Sequence, residues 1–451
     1  MNASLSQDCV PRNTMDQEKQ TAEFWRSLVP TLHVLAPPPL PPPPPTTDAT
    51  SQSLPEVGTD NSMKHRLREE GYFTTKLGIA NDLPTLLANG ISQLRAAGWP
   101  ASFILMYDEA WVLSKSADHI MDTVAGNTNN GDMLAWDIDP NRDEAGFSPH
   151  RDRQPADISS SFHTNGMPKY STAWIALTDA TPENSCLYMI PKQFDPGYDH
   201  PGDVDNIDPL ERCLPDKTCY QNIRALPIEH GHGIFFSHRI LHWGSRGRKG
   251  YAVPRMALSV ACSVDSFEPS YFADKEKQLP FPELNVRLGL ICGQMICYHE
   301  RFNFDTTEIR FFTTLWRKLS GNFSSFYQQK VLKDLIPAIE DAMLRGKAGK
   351  MGRGEVERMN GKMEAAKGGQ KWEGREADGV DKVDEDEDDD MLDAALDAML
   401  EGGNEMDFRD DFDDGGEGLV EAEIVVEVKS DGGEEEEEEP LAKRQKVDIN
   451  K

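Results

Sequence analysis

The rhythm of apolar residues changes several times along the chain. Leu83, Leu86, Leu87, Ile91 and Leu94 recur at helical spacing after Asp82-Leu83-Pro84, with proline tolerated in the first turn and Gly98 as the stop. A second helix, rich in Ala, Trp and Leu, is expected from about Asp108 to Val124. Short apolar or alternating runs then follow, separated by Pro, Gly, Asn and Asp. They are Thr172–Leu177, Cys186–Ile190, Gly233–Phe236 and Met256–Ala261. Short strands with long, irregular connections predict a β-sandwich or jelly roll and argue against a parallel α/β sheet. After Thr306 the helical period returns, through Ile309, Phe312, Leu315, Trp316 and Leu319, then Val331, Leu335, Ile336, Ile339 and Leu344.

Neither end carries such a pattern. Residues 1–62 read as a disordered, polar tail ending in the proline block Pro37 to Pro45, broken only by Leu40. That block favours solvated polyproline II, either a plain spacer or a ligand for an SH3- or WW-type groove. From about Gly346 the chain turns Gly-, Lys-, Glu- and Asp-rich and cannot bury enough surface to offset the entropy of ordering, so 346–451 reads as a second disordered tail. One island there, Met391, Leu392, Ala395, Leu396, Met399 and Leu400, has a single apolar face. It suits a helix induced by a partner as well as an isolated fluctuating segment. The expected organisation is one domain over 63–345 between two tails.

Charge and composition sharpen this division. The formal net charge is -30, and residues 346–451 alone hold 35 acidic against 15 basic residues. The acidity therefore belongs chiefly to the tail, where Asp384 to Asp390 and Glu434 to Glu439 would repel nucleic acid and attract a basic protein partner in a salt-dependent way. A solvating tail with no partner is the plain alternative. No direct nucleic-acid binding is expected, since the basic stretch Lys347 to Arg375 is diluted by glutamates. Lys443, Arg444 and Lys446 form a basic cluster of the kind read by a nuclear import receptor, giving a nuclear expectation with the cytoplasm as the alternative. The chain ends in Ile-Asn-Lys, which is not a peroxisomal address. The seven cysteines show no CxxC pair and no regular zinc spacing, and read as free thiols. No apolar stretch is long enough for a signal core or a membrane span, which leads us to expect a soluble intracellular protein.

The chemistry concentrates in the middle of the chain. Pro149-His150-Arg151-Asp152 lies in a loop-like stretch, and a His-x-Asp pair on extended backbone points an imidazole and a carboxylate the same way. A distant histidine would complete a facial triad of two histidines and one carboxylate, which leaves three positions for a bidentate cosubstrate and dioxygen. The run after Gly233–Phe236 offers two candidates, His238 and His242.

In this setting the chain resembles the phytanoyl-CoA dioxygenase family of iron(II)/2-oxoglutarate oxygenases. The matching stretches are His150-Arg-Asp152, Trp174-Ile-Ala-Leu-Thr-Asp-Ala-Thr-Pro-Glu-Asn184, Met189-Ile-Pro191, Gly231-His-Gly-Ile-Phe-Phe236, His242-Trp-Gly-Ser245 and Arg255. They keep the family's order over about Met63 to Ser266. The resemblance implies a double-stranded β-helix, a cupin-like jelly roll forming a mainly β core with flanking helices. It also implies Fe(II) bound by His150, Asp152 and His242, with 2-oxoglutarate and dioxygen as cosubstrates. The family's distal ligand falls six residues after the second phenylalanine of its strand, which selects His242 and leaves His238 as a strand-end or surface histidine. Arg255 matches the arginine that grips the far carboxylate of 2-oxoglutarate, a task suited to a planar guanidinium. Trp174 matches a tryptophan of the cosubstrate pocket, and Trp136 is a candidate for the opposite wall; ordinary core packing is the alternative for both. Arg246 and Arg248 are expected to be exposed.

Three departures bear on substrate class: Ser185 stands where the family has glycine, Lys192-Gln-Phe replaces Gly-Ser-His, and Trp243 is inserted after the distal histidine. The implied activity is hydroxylation of a C–H bond in an unidentified organic substrate, coupled to decarboxylation of 2-oxoglutarate to succinate. Asp152 favours this over halogenation, because halogenating relatives carry a small residue there. Two alternatives stand beside it. One is a catalytically inactive jelly-roll protein assembling nuclear partners through its tails, and the other is a hydrolase using zinc on the same ligands.

Overall fold

In the computed structural model the described residues are 18–34, 60–142, 144–200, 208–275, 278 and 280–350. The proline block, the acidic runs, the Met391–Leu400 island and the basic cluster lie outside them.

The elements follow in chain order as α1 (Ala22–Leu28), α2 (Asp60–Glu69), β1 (Tyr72–Lys76), α3 (Leu83–Ala96), α4 (Asp108–Ala125), β2 (Thr128–Ile138), β3 (Tyr170–Ala176) and β4 (Leu187–Ile190). Then come α5 (Pro209–Cys213), β5 (Arg224–Leu226), β6 (His232–Ser237), β7 (Leu241–Gly244), β8 (Arg255–Ser263), α6 (Leu284–Cys297), α7 (Thr306–Leu319) and α8 (Ser325–Lys350). A five-stranded sheet runs β1-β6-β3-β8-β2 and a three-stranded sheet runs β5-β4-β7, with every pairing antiparallel. From β3 onward the chain passes back and forth between the two sheets, with β4 and β5 both in the small one, and this wrapping makes the jelly roll.

Strand periodicity explains the layers. Along β3, Tyr170, Thr172, Trp174 and Ala176 share one face while Ser171, Ala173 and Ile175 share the other. All seven are buried, because the small sheet covers the first face and helices cover the second. Between the sheets lie Tyr72, Trp174, Ala176, Leu187, Met189, Ile234, Phe236 and Ala257, together with Cys186 and Ile240. Helices α3 and α4 lie on the outer face of the large sheet, with Leu87, Ile91, Leu94, Met121 and Val124 turned inward.

A helical layer of α6, α7 and α8 follows the sheets. Helix α6 is buried nearly all round, which left it without the amphipathic stripe that announces a surface helix. Its glycines allow the close approach of the other two helices: a Cβ at Gly293 would sit 2.8 Å from the Trp316 ring of α7 and 2.5 Å from Tyr327 Oη of α8.

The amino-terminal expectation needs correcting. Residues 18–34, placed within a disordered tail of 1–62, fold onto the domain. Trp25 is fully buried, stacked on Phe103 at 5.3 Å and edge-on to Trp99 at 5.0 Å. Tyr107 Oη donates to the Trp25 carbonyl at 2.7 Å, and Val29, Leu32 and Val34 are buried beside it. Trp25, Leu28, Val29 and Leu32 follow helical spacing, but the stretch spans only two turns and is too short to stand out from its polar surroundings. Helix α2 begins at Asp60, three residues before the expected boundary, and α8 continues past residue 345 to Lys350. The six described cysteines are free thiols, and no described helix is long and apolar enough to cross a membrane.

Candidate metal centre

The loop carrying His150 and Asp152 docks on β7 as a one-bridge extension of the small sheet. His150 N donates to His242 O at 3.0 Å and His242 N to His150 O at 3.1 Å. The backbone-to-backbone exchange places the two imidazoles side by side, with ring centroids 4.3 Å apart. Close docking continues at Gly146 and Gly244, where a Cβ on Gly244 would sit 2.7 Å from the Gly146 Cα. The glycine of the His-Trp-Gly-Ser run is therefore a packing requirement of the centre.

His150, Asp152 and His242 each offer a ligand atom, all within 4.8 Å of one another. Asp152 Oδ1 lies 3.7 Å from His150 Nε2 and 3.5 Å from His242 Nε2. The outer contacts orient all three groups. His150 Nδ1 donates to Ser148 O at 2.7 Å and His242 Nδ1 to Ile240 O at 3.0 Å, which leaves both Nε2 lone pairs directed at the shared position. Thr172 Oγ1 donates to Asp152 Oδ2 at 2.5 Å, leaving Oδ1 for the same position. Burial, reinforced by the neighbouring His150, lowers the His242 pKa to about 4, so His242 is neutral and able to ligate at neutral pH.

Between the two ligands Arg151 points the opposite way, into a bidentate pair with Asp195 at 2.5 and 2.8 Å and onto the Arg239 carbonyl. Arg239 in turn donates to the carbonyls of Gly197, Tyr198 and His200. These two arginines fix the loop, and nothing in the spacing of the sequence marked them. His238 is not part of the centre. It sits at the end of β6 as a strand-end histidine but is fully buried, which corrects the surface expectation. Its Nδ1 bonds Tyr170 O at 3.0 Å, and burial lowers its pKa to about 4.

The triad opens into a cavity of about 480 Å³, also lined by Trp136, Trp174, Ser259 and Arg255. Arg255 is 2 % exposed, lies 5.4 Å over the Trp174 ring, and has no hydrogen-bond partner at Nε. Among the described residues no carboxylate lies within ion-pair distance of it, and burial lowers its pKa to about 10. A buried cation lacking a protein counter-ion calls for an anionic ligand, since an unpaired buried charge is costly. Trp136 closes the cavity wall, donating Nε1 to Ser259 Oγ at 3.1 Å and meeting Phe147 edge-on at 4.5 Å. Arg246 and Arg248 are exposed, as expected. The inserted Trp243 stacks on Tyr188 at 5.8 Å and packs with the cluster of Ile190 and Leu241, while His242 alternates to the opposite face.

A jelly roll with two imidazoles, one carboxylate and an unpaired buried arginine on one cavity has the donor set of the iron(II)/2-oxoglutarate oxygenases: nitrogen and carboxylate ligands suit iron(II), and the guanidinium suits a dicarboxylic cosubstrate. Consistent with that class, residues 104–255, about a third of the chain, match the family model of phytanoyl-CoA dioxygenase (PhyH). No curated protein matches the chain. Among solved structures, it is similar to the non-haem α-ketoglutarate-dependent epimerase SnoN of nogalamycin biosynthesis, at 17% identity and TM-score 0.34 over 45% of this chain and 82% of that one. It is also similar to the carbocyclase SnoK of the same biosynthesis, at 20% identity and TM-score 0.34 over 45% and 83%. A third is EctD from S. alaskensis with 2-oxoglutarate and 5-hydroxyectoine, at 13% identity and TM-score 0.33 over 48% and 80%.

Proposed function

We propose that this protein is an iron(II)/2-oxoglutarate-dependent hydroxylase of an organic substrate, with His150, Asp152 and His242 as metal ligands. The observation that carries the reading is the unpaired Arg255 guanidinium on the same cavity as the triad. A metal hydrolase on these ligands would have no use for it.

Iron(II), when bound with 2-oxoglutarate, supplies dioxygen activation coupled to decarboxylation to succinate. The chain's own part is positional. The Nδ1–H donors of His150 and His242 hold the imidazoles in the ligating tautomer, and Thr172 holds Asp152. Arg255 receives the carboxylate of 2-oxoglutarate distal to the metal, with Trp174 beneath the guanidinium, while Trp136 and Phe147 exclude water from the reacting region. Asp152 occupies the position that a halide would need, which favours hydroxyl transfer.

The test is Arg255→Ala. We expect 2-oxoglutarate binding to weaken by about tenfold or more, the value of a lost charge-assisted pair, with iron(II) affinity retained. Equal loss of both affinities would contradict the role assigned to Arg255.

A further inference from the structure

The cavity has a second charged region, completed by a part of the chain beyond the family match. Arg255 opens β8, and the strand runs past Ser259 and Ala261 to Ser263, so its far end lies about 26 Å away at strand rise. There β8 Ser263 pairs with Tyr170, and the side chains of Asp132 and Arg153 gather. The helical layer closes this end with Cys297 and Tyr298, which end α6, and Asp334 of α8.

Most of the charge at this end is already matched. Arg153 binds Glu268 at 2.5 and 2.7 Å and Asp132 at 3.0 Å, and Lys330 lies 3.5 Å from Asp132 and 3.9 Å from Glu268. Two carboxylates thus face two cations. Asp132 also accepts from Gln294 and Tyr298, so it has no capacity left for a ligand.

Asp334 is the group left over. It lines the cavity half-buried, and among the described residues no Lys, Arg or His nitrogen lies within ion-pair distance of it. Its neighbour on the wall is Cys297, whose thiol is at most a weak donor. Burial raises the Asp334 pKa and outweighs the opposing pull of Lys330, His299 and Lys333, none of which reaches ion-pair distance. The other uncommitted charges on the wall, Glu300 and Arg301, are exposed, opposite in sign, and Arg301 already lies 4.6 Å over the Phe147 ring. The balance at this end is therefore one desolvated negative charge.

Resting on the oxygenase reading above, we propose that Asp334 is a specificity-determining residue and that the substrate presents to it an ammonium group. An anionic substrate group would meet Asp334 unfavourably and find Arg153 already saturated. A neutral one would leave the carboxylate unpaired. The C–H bond that reacts then lies between the ammonium and the metal position, with 2-oxoglutarate held at the opposite end by Arg255.

The test uses the anaerobic iron(II)/2-oxoglutarate complex of the full chain and its visible charge-transfer band, titrated with n-butylammonium, butanol and butyrate, three probes of equal chain length. We expect n-butylammonium to perturb the band at about tenfold lower concentration than either other probe, the scale of one charge-assisted hydrogen bond. Asp334→Asn should abolish that preference with the band itself intact, and Asp334→Glu should keep it. Butanol or butyrate acting as well as n-butylammonium, or the preference persisting in Asp334→Asn, would overturn the inference alone. Absence of any band before a probe is added would overturn the oxygenase reading, and this inference with it.

Discussion

His150 and His242 each commit Nδ1 to a backbone carbonyl two residues away, and Asp152 commits one oxygen to Thr172, so three remaining lone pairs converge without any ligand to organise them. Removing such an outer contact commonly costs 10- to 100-fold in metal affinity, and we expect Thr172→Val to weaken iron(II) binding by about tenfold, read by titration, with thermal stability little changed. An unchanged affinity would show that Asp152 needs no such support. Ser185 is the other residue under tension. It is the one non-glycine residue with positive φ among those described, at +74°, and its buried hydroxyl has no partner. Ser185→Gly relieves both at once. The variant should be more stable by about 1 kcal/mol, seen as a Tm rise of about 2 °C; a lower Tm would mean that the hydroxyl packs usefully against Gly146 and Gly244.

At the scale of elements, the loop carrying His150 and Asp152 is held from two sides. The small sheet binds it through the His150–His242 bridge, and α8 reaches it through Lys330, the four-charge cluster and Arg153, whose Nη1 donates to Asp152 O at 2.8 Å. Burial alone would raise the Asp132 pKa, yet Lys330 and Arg153 hold it well below the carboxylate range. Its stabilising contribution is therefore present at neutral pH and fades on acidification. Lys330→Met leaves two carboxylates against one arginine. It should destabilise the fold by about 2 kcal/mol, below the usual 3–5 for a broken buried pair because Lys330 is a quarter exposed. Adding Asp132→Asn restores a one-to-one balance, and the double variant should recover at least half of that loss in chemical denaturation. Strict additivity of the two substitutions would contradict the coupling.

The elements most legible in the sequence were those with clear period and caps: α3 with its proline and Gly98, α4, β3, β6 and the Thr306 helix. Strand β2 was not legible, because it begins with Thr-Asn-Asn-Gly-Asp and its register shifts between Asn129 and Met133, breaking the alternation. Helix α6 failed for the opposite reason, being apolar on every face.

For the whole molecule, the ordered motifs located the triad, Arg255 and both tryptophans, and the structure brings all of them to one cavity. What the motifs could not show is what fixes or completes that cavity from a distance. Arg151, Arg239, Glu268, Lys330 and Asp334 act through contacts between residues far apart in sequence, and no local spacing announces them. The segment 18–34 is a further case, since its burial depends on partners at Trp99 and Phe103. The family match ends at Arg255, while the helical layer that closes the far end of the cavity begins after it. On the oxygenase reading proposed above, the substrate wall would then lie outside the matched segment, in keeping with function residing in sites placed on a common fold.

The central claim is that this cavity binds iron(II) and 2-oxoglutarate together. Anaerobic titration of the purified chain with iron(II), then 2-oxoglutarate, tests it most directly. The account predicts one iron per chain, a weak visible charge-transfer band that appears only when both are present, and succinate release on admission of air. Metal bound at the triad with neither band nor succinate would contradict it.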